Sequence, residues 1–299
     1  MKKPDIWITE VGPRDGLQNE SHPISSAEKI AFIDALSQTG LSSIEVSSFV
    51  SSKSIPQLAD ASEVFSHIHK KPGVQYWALA ANQAFLEQAL RVGVTHIALF
   101  TAASESFTQK NIHCSIAESF ERFKPMMETA RAHHLTVRGY ISCALVCPYE
   151  GVIDPHTVAQ ISDQLLALGV DEVSLGDTIG KGTPSSTQHL LRELKPILPA
   201  AKTAMHFHDT YGMSLVNILT ALDFDIRRFD ASVAGLGGCP YAKGASGNVS
   251  TEEVIYLLES LGLHTNIDLL PLCEIGQNLC DLLKKPNNSR VAKALLGSK

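Results

Sequence analysis

The sequence predicts an α/β protein: a closed parallel barrel of the (β/α)8 type, with extra helices at its C-terminal end. Three observations predict it. Short apolar runs alternate with longer helix-like stretches from one end of the chain to the other. No shift in composition divides the chain. At 299 residues it has the length at which such alternation closes into one barrel. We therefore expect 1–299 to form one catalytic domain, with the barrel over about 5–263 and a helical extension over about 264–299.

The expected strands are Ile6–Val11, Ser43–Ser47, Val74–Ala80, His96–Phe100, Thr136–Ile141, Glu172–Leu175, Thr203–Phe207 and Phe229–Val233. They are short and rich in Val, Ile, Phe or Ala, as suits strands buried on both faces. The intervening helices carry start signals. Ser25 with Glu28, Ser115 with Glu118 and Ser250 with Glu253 have capping-box spacing. Asp154-Pro155 and Thr183-Pro184 place a capping side chain before a proline at the first helical position. Gly40, Gly93, Gly169 and Gly262 follow helix ends, where a left-handed residue is often needed. A doubly wound open sheet is the rival fold. It lacks support because the first strand ends in Gly12-Pro13-Arg14-Asp15-Gly16 and not in a dinucleotide fingerprint.

Composition excludes several classes. Lys+Arg 25 against Asp+Glu 31 gives a net charge of −6, which argues against a nucleic-acid surface. A charged fraction of 19% with 44% hydrophobic residues argues against disorder. No apolar run is long enough for a membrane span, and the N-terminus has no secretory h-region. The expected partner is a small molecule, with no nucleic acid and no membrane, in the cytoplasm. Six cysteines in such a chain are expected to be reduced, and Cys143 and Cys147 read as packing residues.

In a barrel of this kind function collects at the carboxyl ends of the strands. Strand one ends in Arg14-Asp15, which reads either as a structural ion pair or as a ligating pair. Glu45, inside the second strand, needs a partner: a metal, Arg14, or a core cation. Asp177, between flexible glycines, is expected to point into the mouth unless it merely caps the next helix. The sharpest signal is Met205-His206-Phe207-His208-Asp209. Side chains two apart in a strand share a face, so His206 and His208 would both enter the mouth, as a chelate or as hydrogen-bonded core residues. Asp15 at the same end favours the chelate. The loop Gly235–Asn248 carries five glycines within its first thirteen residues and one thiol, Cys239. It reads as a lid delivering that thiol or as an ordinary loop, since no P-loop pattern is present. Two imidazoles, a carboxylate and the Asn248 amide oxygen would make an N/O site suited to Mg²⁺ or Mn²⁺.

The stretches EVGPRDGLQNE, IEVSSFVS, TAASESFTQKNIHCSI, EVSLGDTIG, HFHDTYG and SVAGLGGCPYAKGASGNVSTEE closely resemble the hydroxymethylglutaryl-CoA lyases, over about Ile8 to Leu263. These belong to a metal-dependent barrel superfamily that makes and breaks C–C bonds. The glycine loop with its cysteine is the specific part; the first stretch and the H-x-H pattern mark only the superfamily. The resemblance implies cleavage of 3-hydroxy-3-methylglutaryl-CoA to acetyl-CoA and acetoacetate. It implies Asp15, His206, His208 and Asn248 as ligands of a divalent cation, Arg14 as the residue near the thioester carbonyl, and Cys239 as the catalytic thiol. Glu45 and Asp177 match acids around the site, and His206 is a candidate base. A homodimer is implied as well. Lys181 and the run Ser52-Lys53-Ser54 depart from the family pattern, and no family-type cysteine lies near the C-terminus. Lys53, Lys110, Asn111 and Lys243 lie on mouth-side loops and are candidates for phosphate contact or plain solvated surface.

An acetyl-CoA-dependent synthase, a 4-hydroxy-2-oxoacid aldolase and an inactive acyl-CoA-binding barrel are the alternatives. The synthases usually carry a further C-terminal domain, for which about 35 residues after the barrel are too few. The aldolase would not need the Cys239 loop. Nothing in the motifs suggests lost activity.

Overall fold

The computed structural model describes residues 5–239 and 242–297; of 239 and 242–246 it describes the backbone alone. Eight strands form the barrel: β1 Trp7–Glu10, β2 Ser43–Phe49, β3 Gln75–Ala80, β4 His96–Ala102, β5 Thr136–Ser142, β6 Glu172–Asp177, β7 Thr203–Phe207 and β8 Arg228–Ala231. Each pairs in parallel with the next, and β8 closes on β1 in the register Trp7↔Arg228. No strand boundary differs from the sequence expectation by more than two residues.

The helix starts follow the anticipated chemistry. Ser25 and Ser115 each head a complete capping box with Glu28 and Glu118. Asp154 and Thr183 cap helices that open on Pro155 and Pro184. Ser250 makes only half a box: it accepts from the Glu253 amide, while the Glu253 carboxylate accepts the Arg290 amide at 2.9 Å. That second bond ties the last barrel helix, Thr251–Ser260, to the helix Arg290–Leu296. The extension also includes Leu269–Leu282, which packs against the first helix, Ser26–Gln38. Gly40 lets this tail approach. Its φ is +97°, and a Cβ there would lie 2.2 Å from the carbonyl oxygen of Asn266.

The strand faces toward the helices are aliphatic, with Ile8, Ile44, Val137, Leu175 and Phe207 in one continuous core. The inward face differs from the branched aliphatic layers usual in such barrels. Arg138 on β5 donates to Thr9 on β1, the opposite wall, at 3.2 Å, and Tyr140 on β5 donates to Glu45 on β2 at 3.2 Å. These bonds cross the interior. Polar and charged side chains therefore fill much of it.

Three local irregularities shape the mouth. Gly12–Gly16 forms a single π-helical turn directly after β1, with the amides of Asp15 and Gly16 both donating to the Val11 carbonyl. Such turns present side chains that a regular helix would turn away. The β2–β3 pairing shifts register between Glu45 and Ser47, a bulge beside a buried carboxylate. After β8, the turn Val233–Gly235 is held by two buried acids. Glu10 accepts the Val233 amide and Glu252 accepts the Ala234 amide, both at 2.9 Å. Among the described residues no helix is long and apolar enough to cross a membrane.

Candidate active site

A cavity of about 560 Å³ opens at the carboxyl ends of the strands. Arg14, Asp15, His206, His208 and Gly238 all line it. The π-helical turn aims Arg14 and Asp15 into it together. Arg14 donates through Nε to Glu45 Oε2 at 2.7 Å and through Nη1 to Asp15 Oδ1 at 2.7 Å. Its Nη2 also lies 2.7 Å from Glu45 Oε2. Three of its five N–H groups are thus engaged, leaving one on each terminal nitrogen for a substrate oxygen. Arg14 and Asp15 form an ion pair, the first of the two readings, and both line the cavity.

His206 and His208 share one face, as the spacing predicts, with ring centroids 5.3 Å apart, and both are buried. Each Nε2 lies 4.0 Å from Asp15 Oδ2. That is too long for a hydrogen bond, and two ligand bonds of about 2.0–2.2 Å can span it. Asp15, His206 and His208 are a group that can hold a metal ion. Among the described residues Nδ1 of His208 is buried without a hydrogen-bond partner, as is Nδ1 of His206.

The charge states of Asp15 and His208 suit such a role. Burial would raise the Asp15 carboxyl, but the Arg14 guanidinium, the two imidazoles and the Asn248 amide hold it down at about 2. Burial and the neighbouring His206 push His208 down to about 4, so it stays neutral at pH 7. For His206 burial acts downward too, but Asp230 and Asp15 outweigh it and raise the pKa. Neutral imidazole and ionised carboxylate are the ligating forms.

Asn248 reaches the site through an unexpected atom. Its Nδ2 donates to Asp15 Oδ2 at 2.7 Å and to the Leu236 carbonyl at 3.1 Å. Two acceptors on one side fix the nitrogen there, so the amide oxygen expected as a ligand faces away. Asn248 is placed by a short strand-like segment. It bridges to His208, the Asp209 amide donates to Gly247, and the Val249 amide donates to Phe207.

Asp177 does not enter the mouth. It pairs in register with Phe207, whose side chain belongs to the outer core, while its neighbours Gly176 and Thr178 line the cavity. The carboxylate accepts the Gly182 amide at 2.8 Å and so fastens the loop after β6. Burial lifts its pKa to about 6. Glu45 is fully buried and serves Arg14 and Tyr140, and burial raises its pKa despite Arg14. The side chain of Cys239 lies outside the described residues, as does that of Lys243. The backbone of Gly238–Cys239 pairs with Ala242–Ser246 immediately after the cavity-lining Gly238.

Among the phosphate-contact candidates, Lys110 and Asn111 line the cavity and Lys53 is exposed outside it. Lys181, a departure from the family pattern, is also exposed, 5.8 Å over the Tyr211 ring. Sequence reasoning missed Gln18, which donates to Asp15 at 2.6 Å, as well as Tyr140 and Asp230. Asp230 carried the signal that drew attention to Glu45: a carboxylate inside a buried strand.

Comparison with known proteins places the sequence and the backbone. Residues 5–279 match the family described as HMGL-like. A Pseudomonas aeruginosa protein named 3-hydroxy-3-isohexenylglutaryl-CoA/hydroxy-methylglutaryl-CoA lyase is 55% identical over 291 residues, covering 97% of each chain. The crystal structure of hydroxymethylglutaryl-CoA lyase from Pseudomonas aeruginosa superposes with a TM-score of 0.96 at 53% identity, covering 100% of both chains. An HMG-CoA lyase from Acinetobacter baumannii, solved in complex with coenzyme A and 3-methylmalate, gives 0.93 at 34% identity, covering 98% of this chain and 97% of that one. Likeness of this extent, in sequence and in backbone alike, admits one assignment: the chain belongs to the HMGL-like family.

Proposed function

We propose that this chain cleaves 3-hydroxy-3-methylglutaryl-CoA to acetyl-CoA and acetoacetate. The observation that carries the reading is the convergence of Arg14 with Asp15, His206 and His208 on one cavity, in a chain 55% identical to a lyase of that name. Asp15, His206 and His208 would hold a divalent cation, Mg²⁺ or Mn²⁺; Asn248, the fourth ligand that the resemblance implies, here binds Asp15 through its nitrogen. When bound, the cation supplies Lewis acidity to the tertiary hydroxyl and a neighbouring substrate oxygen.

The chain's own residues divide the remaining work. Breaking the C2–C3 bond leaves the enolate of acetyl-CoA, and the two spare N–H groups of Arg14 face its developing oxyanion. Glu45 keeps the guanidinium turned that way. Cys239, as a thiol, delivers a proton to the enolate carbon. The tertiary hydroxyl gives up its proton as the bond breaks, and because neither candidate side chain is well suited to take it, a water in the cavity is the remaining acceptor. Asp15, held at about 2, is a weak acceptor, and the outer nitrogen of His206 faces Asp230 and not the cavity. Asp177, fastened to the loop at Gly182, acts by shaping that loop.

Incubation with 3-hydroxy-3-methylglutaryl-CoA should release acetoacetate, stop with a chelator and resume with added Mn²⁺. No acetoacetate under any of these conditions overturns the reading.

A wider acyl range has its own support. Leu79, Ala98 and Tyr140 form a separate apolar cluster inside the barrel, with Val50 and Phe100 packed against it. Leu79, Tyr140, Val50 and Phe100 line the same cavity as Arg14. This wall suits substrates whose C3 substituent is larger than methyl. Comparable kcat/KM for the methyl and a longer branched substrate supports that reading, and loss of the longer one refutes it. The homodimer rests on the resemblance alone.

A further inference from the structure

The two histidines of the site are not equivalent. Among the described residues neither Nδ1 makes a hydrogen bond, yet that of His206 lies 3.3 Å from Asp230 Oδ2, within ion-pair distance. A small rotation of the ring would close that separation into a hydrogen bond. Asp230 is itself gripped from two sides. Arg138 Nη1 donates to its Oδ1 at 2.8 Å, and Ser174 Oγ donates to its Oδ2 at 2.8 Å. Arg138 continues to Glu172 at 2.6 Å through Nε, and Glu172 meets Arg228 at 3.2 Å.

A charged column thus runs up the barrel interior and ends on the back of one imidazole. Both Asp230 and Arg138 are 2% exposed. Buried ion pairs are poor sources of stability, since desolvation offsets most of the attraction. An aliphatic interior would serve packing at least as well. What the column provides that aliphatic side chains cannot is a fixed carboxylate behind His206.

We propose that Asp230 is a positioning residue. It accepts Nδ1–H of His206, fixes that tautomer and ring orientation, and so turns the Nε2 lone pair toward Asp15 and His208, while Arg138 and Ser174 hold Asp230 in place. A carboxylate behind a ligating imidazole raises the ligand's basicity and sets its direction. The proposal rests on the reading of Asp15, His206 and His208 as metal ligands.

The test is Mn²⁺ affinity of the metal-free protein, measured by calorimetry or by the free-Mn²⁺ resonance signal, with thermal melting in parallel. Wild type should bind Mn²⁺. D230N should bind about 10–100-fold more weakly. E172Q removes a charge from the same column without touching His206. It should melt lower but keep wild-type affinity. S174A keeps every charge and loses one anchor of Asp230. It should weaken binding by about 3–10-fold, the effect of one hydrogen bond.

Wild-type affinity in a folded D230N overturns the proposal, as does an equal loss in E172Q, which would make the effect merely structural. If D230N does not fold, unchanged affinity in S174A overturns it. Absence of Mn²⁺ binding by wild type removes the metal reading itself, an outcome distinct from the others.

Discussion

Glu45 holds the guanidinium of Arg14 from the neighbouring strand, accepting from Nε at 2.7 Å with a second terminal nitrogen at 2.7 Å. A bulge in β2 lies between this carboxylate and Ser47, and Tyr140 donates to the same oxygen that holds Arg14. The pairing leaves Arg14 little rotational freedom. Glu45→Gln keeps the shape but weakens the grip. We expect kcat to fall by about 10–100-fold with a much smaller change in KM, as for loss of a residue that orients a catalytic group. Steady-state kinetics decide it, and a pure KM effect speaks against the orienting role.

Arg14→Met removes the oxyanion partner itself. The expected loss in kcat is about 10²–10³-fold, the usual effect of deleting one such donor. Substrate still enters because the rest of the cavity wall is unchanged. A defect confined to binding contradicts the role assigned to its two spare N–H groups.

Cys239→Ala should lower turnover by about 10²–10⁴-fold, the contribution typical of a positioned general acid. Mn²⁺ binding, measured by calorimetry, should be unaffected. Full turnover in this variant removes the thiol from the chemistry.

Stability should depend on pH through the two acids beneath the glycine loop. Burial lifts Glu10 and Glu252 each from 4.5 to about 7. A carboxyl raised in the folded state stabilises fully below the unfolded value, and that contribution is lost as pH rises through the folded one. Glu252→Gln stays neutral throughout. The melting temperature of this variant minus that of wild type should therefore increase from pH 5 to pH 8, by the equivalent of up to about 3 kcal/mol. His208, depressed to about 4, acts in the opposite sense in both proteins and cancels in the difference. A difference that stays flat with pH refutes the assignment.

The parts of the site visible in the sequence are those set by local geometry. His206 and His208 lie two apart in one strand, so their common face follows from the period of a strand. Asp15 follows from its place at the end of β1. What was hidden depends on which strands meet. Arg138 and Asp230 are 92 residues apart in the chain, and only closure of the barrel joins them. The same holds for Tyr140 and Glu45, 95 residues apart. The side taken by Asp177 follows from the β6–β7 register, which sets Gly176 beside His206 and Asp177 beside Phe207. The amide of Asn248 turned on the Leu236 carbonyl, a backbone group that no sequence motif reports.

The charges stacked inside the barrel also constrain how this protein can change. Arg138 is shared between Glu172 and Asp230, and Glu172 between Arg138 and Arg228. Removing one member leaves another ionised side chain stranded away from water, a loss of several kcal/mol, about 3–5 when a buried pair is broken. Exchange of acid and base together avoids that penalty. Variation in this lumen should therefore favour coupled double replacements, and single changes that are harmless on the helical shell should lower the melting temperature here.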